Sequence, residues 1–195
     1  MSDQEIQILL LGEDGIGKAT ILSRISSGID NDAATNSHLP ILRDSDQPYA
    51  FDVSVKNNSY RLEFFTTKSP THWTLLNPSL VILCFGIDNR LSLIELKRKW
   101  HPLLHKSFPS HTVPVLLLGL RRDLRSETDP NGIIYPQEGY RIAQELRCDG
   151  YLECSARSGE LVREVWEDIC RIAVKSGGAN QGTDGGLSEG GCSVM

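Results

Sequence analysis

GEDGIGKAT, residues 12–20, follows the apolar run Ile6, Gln7, Ile8, Leu9, Leu10, Leu11 and precedes Ile21, Leu22 and Ile25. A strand, a glycine-rich turn and an amphipathic segment in that order fit a phosphate-binding loop. Glycines let backbone N–H groups converge on phosphate oxygens, a lysine reaches the outer phosphates, and the following helix adds its N-terminal dipole. Gly12, Gly15, Gly17 and Lys18 supply those parts, with Asp14 and Ile16 between them. A Ser or Thr hydroxyl on Mg²⁺ normally follows the lysine. Here that position is Ala19, which has no oxygen to offer, and Thr20 lies about 100° further round the helix. The spacing alone also fits a plain strand-to-helix turn; the strand before it and the helix after it favour the phosphate loop.

Working outward, residues 18–27 are expected to form a helix stopped by Gly28, and residues 29–48 a long polar loop. Residues 49–55 and 60–66 alternate like a hairpin around 56–59, and 67–78 is irregular, with two prolines and Trp73. Residues 80–87 form a continuous apolar run, the signature of a strand buried on both faces. A helix over 90–106, with Leu91, Ile94, Trp100, Leu103 and Leu104 as its apolar positions, leads to a strand at 113–118. A helix over 137–147, a strand at 151–154 and an amphipathic helix over 160–175 complete the pattern. This alternation predicts an α/β fold with a mainly parallel sheet, helices on both faces, and ligands at the strands' carboxyl ends.

A length of 195 residues suits one such domain, and a net charge of −5 gives no overall pull toward nucleic acid or acidic membrane. Cys84, Cys148, Cys154, Cys170 and Cys192 show no zinc-type spacing, which fits a reduced, cytosolic setting, and no stretch approaches the length of a membrane span. From Ser176 onward the composition is Gly-, Ser-, Asn- and Asp-rich, so the chain divides into a domain over 1–175 and a flexible tail over 176–195.

Two further loops at the ends of expected strands carry distinctive residues: Leu120, Arg121, Arg122, Asp123 in one, and Ser155, Ala156, Arg157 in the other. With the phosphate loop they resemble the Ras superfamily of small GTPases. Cys84-Phe85-Gly86-Ile87-Asp88, Lys99-Trp100-His101-Pro102 and Glu153-Cys154-Ser155-Ala156-Arg157 look like segments of its Rho family. The resemblance implies a phosphate-loop GTPase fold with a six-stranded, mainly parallel sheet and one antiparallel edge strand. It also implies a guanine nucleotide, GTP or GDP, as ligand. In that family an N/T-K-x-D element reads the base. Asp123 keeps the base-accepting position, Arg121 takes the lysine's place as a planar group able to stack, and Leu120 loses the asparagine's tie to the phosphate loop. Ser155, Ala156 and Arg157 resemble S-A-K, whose main chain meets the guanine carbonyl.

The departures gather where hydrolysis takes place. Ile41 stands where the first switch has a metal-binding Thr, and Thr66, Thr67, Lys68, Ser69 and Pro70 align with D-x-x-G-Q. Asp14 replaces a glycine beside the γ-phosphate. Phosphoryl transfer depends on positioning, metal charge and an oriented water. The expectation is therefore weak or metal-independent nucleotide binding, no catalytic or metal-binding residues, a doubtful place for Mg²⁺ and little or no hydrolysis. A nucleotide-dependent switch and a non-cycling pseudo-GTPase both remain open, with effector or regulator proteins meeting residues 29–78. Cys192-Ser193-Val194-Met195 is a prenylation signal. It implies a lipid-anchored protein on the cytoplasmic face of a membrane, with a cytosolic pool because one chain anchors only marginally. His101 and His105 have the i, i+4 spacing of metal ligands, but with no third ligand in sight they read as a solvated helix face.

Overall fold

β1, Gln4–Leu11, lies inside the sheet, paired in parallel with β3 on one side and β4 on the other. The computed structural model describes residues 4–29, 39–66, 70–73, 75–109, 113–128, 132–178 and 193–194. In chain order these form β1, α1 (Lys18–Ser26), β2 (Tyr49–Val55), β3 (Asn58–Phe65), α2 (Pro70–Trp73), β4 (Leu80–Gly86), α3 (Arg90–Glu95), α4 (His101–Ser107), β5 (Val115–Leu120), α5 (Pro136–Glu145), β6 (Gly150–Glu153), α6 (Val162–Gly178) and β7 (Ser193–Val194). The sheet order is β6-β5-β4-β1-β3-β2-β7, with β2 antiparallel to β3. The six-stranded α/β arrangement expected from the sequence is therefore present.

Two-sided burial explains why β1 and β4 are apolar throughout. Ile6, Ile8 and Leu10 face α1 and α6 with Leu80, Ile82 and Cys84, while Leu9 and Leu11 face α2, α3, α4 and α5 with Val81, Leu83 and Phe85. Burying each such side chain contributes about 1.5–3 kcal/mol. On the first face Phe51 and Phe64 of the hairpin each pack within 6 Å of the Trp166 ring of α6.

Four expectations are corrected. The hairpin turn is only two residues, Lys56 and Asn57, both at positive φ, so β3 begins at Asn58 and Thr66 falls outside it. The 90–106 helix is interrupted by a π-turn over Leu96–Trp100, where the His101 N–H bonds to the Leu96 carbonyl. Pro102 follows at once and has no N–H for the α register. The buried stripe is consequently Leu93, Leu96, Trp100 and Leu104, and Leu91 and Ile94 are exposed. The irregular 67–78 segment contains α2, whose Trp73 is fully buried. Finally, α6 runs on to Gly178, beyond the expected helix end at residue 175, and Ser193–Val194 pairs with β2 as a seventh strand. The helix continues because Gly177 packs where a Cβ would meet Ile6 Cγ1 at 3.0 Å, and its carbonyl accepts a 3.0 Å bond from Gln4 Nε2.

Candidate nucleotide site

The parallel strands deliver three loops to one end of the sheet. The first links β1 to α1. Gly12 has φ 145°, and a Cβ there would lie 2.2 Å from the Cys84 carbonyl oxygen of β4, so only glycine lets the loop cross that strand. Ile16 is 1% exposed and pins the loop to the core, leaving its main chain for an anion. Lys18 Nζ arches back over the loop and donates to the carbonyls of Gly12 (2.7 Å) and Glu13 (2.6 Å). Asp14, Gly15, Ala19 and Thr20 are exposed and Gly17 is half-buried, so the loop's outer side is open to a ligand.

The second loop follows β5 and carries Asp123 in a 3₁₀ turn; the third follows β6. They are joined by the Ser155 hydroxyl, which donates to Asp123 Oδ1 at 2.5 Å and accepts from the Ser158 N–H at 3.1 Å. A carboxylate has about four acceptor positions, so this bond orients Asp123 without exhausting it. Arg121 joins the second loop to the first: Nη1 pairs with Asp88 Oδ2 at 3.0 Å, and Nη2 donates to the Gly15 carbonyl. Leu120 makes no such tie, as expected, but Arg121 makes one in its stead. The guanidinium expected to stack on a base is thereby engaged on the phosphate loop, and Nε and the Cγ methylene pass within 4 Å of the Cβ position of Gly17. Between the loops lies a cleft of about 290 Å³ lined by Gly17, Thr20, Leu120, Arg121, Asp123, Leu124, Ala156 and Arg157. Its apolar walls are Leu120, which stands in the asparagine's place, and Leu124, which was not among the expected site residues.

The metal side is built differently. Thr66 is turned to Gln47: its N–H donates to Oε1 at 2.8 Å and its Oγ1 accepts from Nε2 at 3.0 Å. Ile41 is 88% exposed, on a segment held to α1 by a 2.5 Å bond from Ser23 Oγ to the Pro40 carbonyl. Thr67, Lys68 and Ser69 lie outside the described residues, as does the side chain of Pro70. Among the described residues no group of three or more His, Cys, Asp or Glu side chains forms a metal site. Glu13, next to Asp14, faces away from any such role, accepting from Lys99 Nζ (2.8 Å) and Trp100 Nε1 (2.9 Å). The hydrogen bond from Lys99, more than any other influence, holds its carboxyl below the usual carboxylate range. Trp100 in turn stacks on Trp73 of α2, with ring centroids 6.0 Å apart.

The sequence profile of the Ras family matches residues 7–175. The chain belongs to the Ras family of small GTPases. It is similar to the Rho-related protein racI of Dictyostelium discoideum, with 27% identity over 196 aligned positions that cover 94% of each chain. In this Rho-like small GTPase, two buried groups that were not among the expected site residues brace the second and third loops. Arg24 of α1, 1% exposed, donates from Nε to the Ala156 carbonyl (2.7 Å) and from Nη2 to the Arg157 carbonyl (2.9 Å), fixing the third loop from beneath. Glu153, at the end of β6, pairs with Arg125 at 2.5 Å and with Arg122 at 3.4 Å, gripping both flanks of Asp123. Tyr151 also donates to Glu153, and burial, reinforced by that carboxylate, raises its pKa. The three loops thus lie together at one end of the sheet and carry Gly12, Gly15, Gly17, Lys18, Arg121, Asp123, Ser155, Ala156 and Arg157.

Proposed function

We propose that this Rho-like protein binds GDP and GTP from the base and diphosphate side, weakly or without Mg²⁺, and hydrolyses GTP slowly or not at all. The observation that carries the reading is the asymmetry of the site. Asp123 is seated by Ser155 at the cleft, whereas Thr66 directs both of its polar groups to Gln47. Ala19 brings no oxygen, and Asp14 adds negative charge beside the outer phosphates. Losing a metal and a water-orienting group together removes the parts on which phosphoryl transfer chiefly depends. Calorimetry with GDP and GTP, with and without Mg²⁺, tests the binding: heat of binding that survives chelation supports it, and strict Mg²⁺ dependence contradicts it. Single-turnover hydrolysis at the rate of an ordinary Rho protein would sink the catalytic half.

A second reading, a pseudo-GTPase that serves as a protein-binding module without cycling, is favoured by the buried Trp73. A second switch anchored by a core tryptophan has little freedom to respond to a γ-phosphate. Limited proteolysis across residues 29–78 separates the two: equal cleavage with GDP and a non-hydrolysable GTP analogue supports the module, and a difference supports the switch. In either reading, effectors or regulators meet residues 29–78, and a prenylated Cys192 holds the protein to the cytoplasmic face of a membrane beside a cytosolic pool. Cys192→Ser moves the membrane fraction into the cytosol if the lipid is the anchor; an unchanged fraction rules the lipid out.

A further inference from the structure

At the end of the sheet opposite the guanine cleft, the starts of β4 and β5 and the C-terminal end of α5 enclose a cavity of about 500 Å³. His101 and His105 of α4 line it. They do not diverge into solvent as a helix face would: their Nε2 atoms converge to 2.8 Å with the rings at 82°, and His101 Nε2 lies 3.0 Å from the Leu146 carbonyl oxygen. We infer that this pair is a binding site for a divalent transition-metal cation of the nickel, copper and zinc class.

The argument begins with hydrogens. A carbonyl oxygen offers only lone pairs, so the His101 nitrogen facing Leu146 carries a proton. His105 Nε2, 2.8 Å from the same nitrogen, then turns its lone pair toward that one hydrogen. Two imidazole nitrogens and a carbonyl oxygen thus gather around a single proton. A cation placed there takes an Nε2 lone pair from each ring; in His101 the proton moves from Nε2 to Nδ1 as the metal enters, and both rings stay neutral. Two metal–nitrogen bonds of about 2.05 Å at a tetrahedral angle need the nitrogens about 3.3 Å apart. Side-chain rotation of about half an ångström supplies that opening.

Imidazole nitrogen selects this class over Mg²⁺ or Ca²⁺, which take oxygen ligands. Leu146 O is placed to be a third donor, and the cavity leaves room for water in the remaining positions. Glu145, Asp149 and Arg147 line the same cavity. Glu145 is paired with Lys97 and Arg141, whereas Asp149 accepts from the neutral Val115 N–H and so lends its charge to the cavity. With two side-chain ligands the site is exchangeable rather than a structural four-ligand centre.

The test uses the untagged full-length chain with GDP and excess Mg²⁺, titrated with NiCl₂ in a calorimeter, and with Cu²⁺ followed by electron paramagnetic resonance. The expected result is one Ni²⁺ per chain, a Cu²⁺ spectrum with coupling to two imidazole nitrogens, and at least about tenfold weaker binding in His101→Gln and in His105→Gln. Wild-type Ni²⁺ affinity no better than that of His105→Gln overturns the inference. So does a Cu²⁺ spectrum without two-nitrogen coupling, a readout on the wild type that stands even if neither variant folds.

Discussion

The hydroxyl of Ser155 sets the direction of the Asp123 carboxylate, and Ser158 sets the direction of that hydroxyl. Removing it in Ser155→Ala leaves Asp123 free to swing. A net loss of about 1–1.5 kcal/mol, near tenfold in affinity, is expected for GDP, measured by calorimetry at a temperature where both proteins are fully folded. Glu13 makes a different prediction. Its folded pKa is depressed, so its bond to Lys99 and Trp100 adds stability above the unfolded carboxylate value of about 4.3 and loses it as pH falls through the lower folded value. The difference in unfolding free energy between wild type and Glu13→Gln should therefore be present at pH 7 and shrink as pH falls below the unfolded carboxylate value of about 4.3, read from urea titrations at each pH. Neither Arg24 nor Glu153 was visible as a site residue in the sequence. A lone arginine among serine and isoleucine reads as a solvated position in a helix. Nothing local says that its head group meets main-chain carbonyls 132 and 133 residues away.

At the scale of elements, the π-turn and α2 belong together. The extra residue in Leu96–Trp100 rotates the helix so that Trp100 reaches both Glu13 and Trp73. Period-3.6 reading assumes a constant 100° step, and one π-turn breaks that assumption, which is why Leu91 and Ile94 were assigned inward and lie outward. Trp73→Ala should cost about 3–5 kcal/mol, as for other large-to-small core changes, and speed proteolysis at α2. Unaltered stability in thermal unfolding would mean that Trp73 is not the anchor. Strands were far more legible than this helix, because alternation in β2 and β3 and unbroken apolarity in β4 each follow from a single physical rule about faces.

Over the whole molecule, the mainly parallel sheet and the three loops at one end followed from the βα alternation and the loop motifs, while the order of the strands came only from the structure. The coupling between loops did not, because Arg121 to Gly15, Ser155 to Asp123 and Glu13 to Trp100 are contacts between segments distant in the chain. Burial also decides thiol chemistry: it pushes the Cys84 and Cys154 thiols up to about 12, and Cys170 is fully enclosed. At pH 8 a thiol with such a pKa is about one part in ten thousand thiolate. Iodoacetamide should leave all three unmodified in the native protein and label them in urea, as read by peptide mass spectrometry; native labelling at any of them contradicts the enclosed core.

The chain of contacts from Glu13 through Trp100 to Trp73 can be traversed in either direction. Thermodynamic linkage requires that if a phosphate at the loop shifts the equilibrium position of α2, a protein gripping α2 shifts the affinity for that phosphate by the same factor. If hydrolysis is as slow as proposed, that reciprocity makes the nucleotide a reporter of which partner is bound as much as an instruction to bind one.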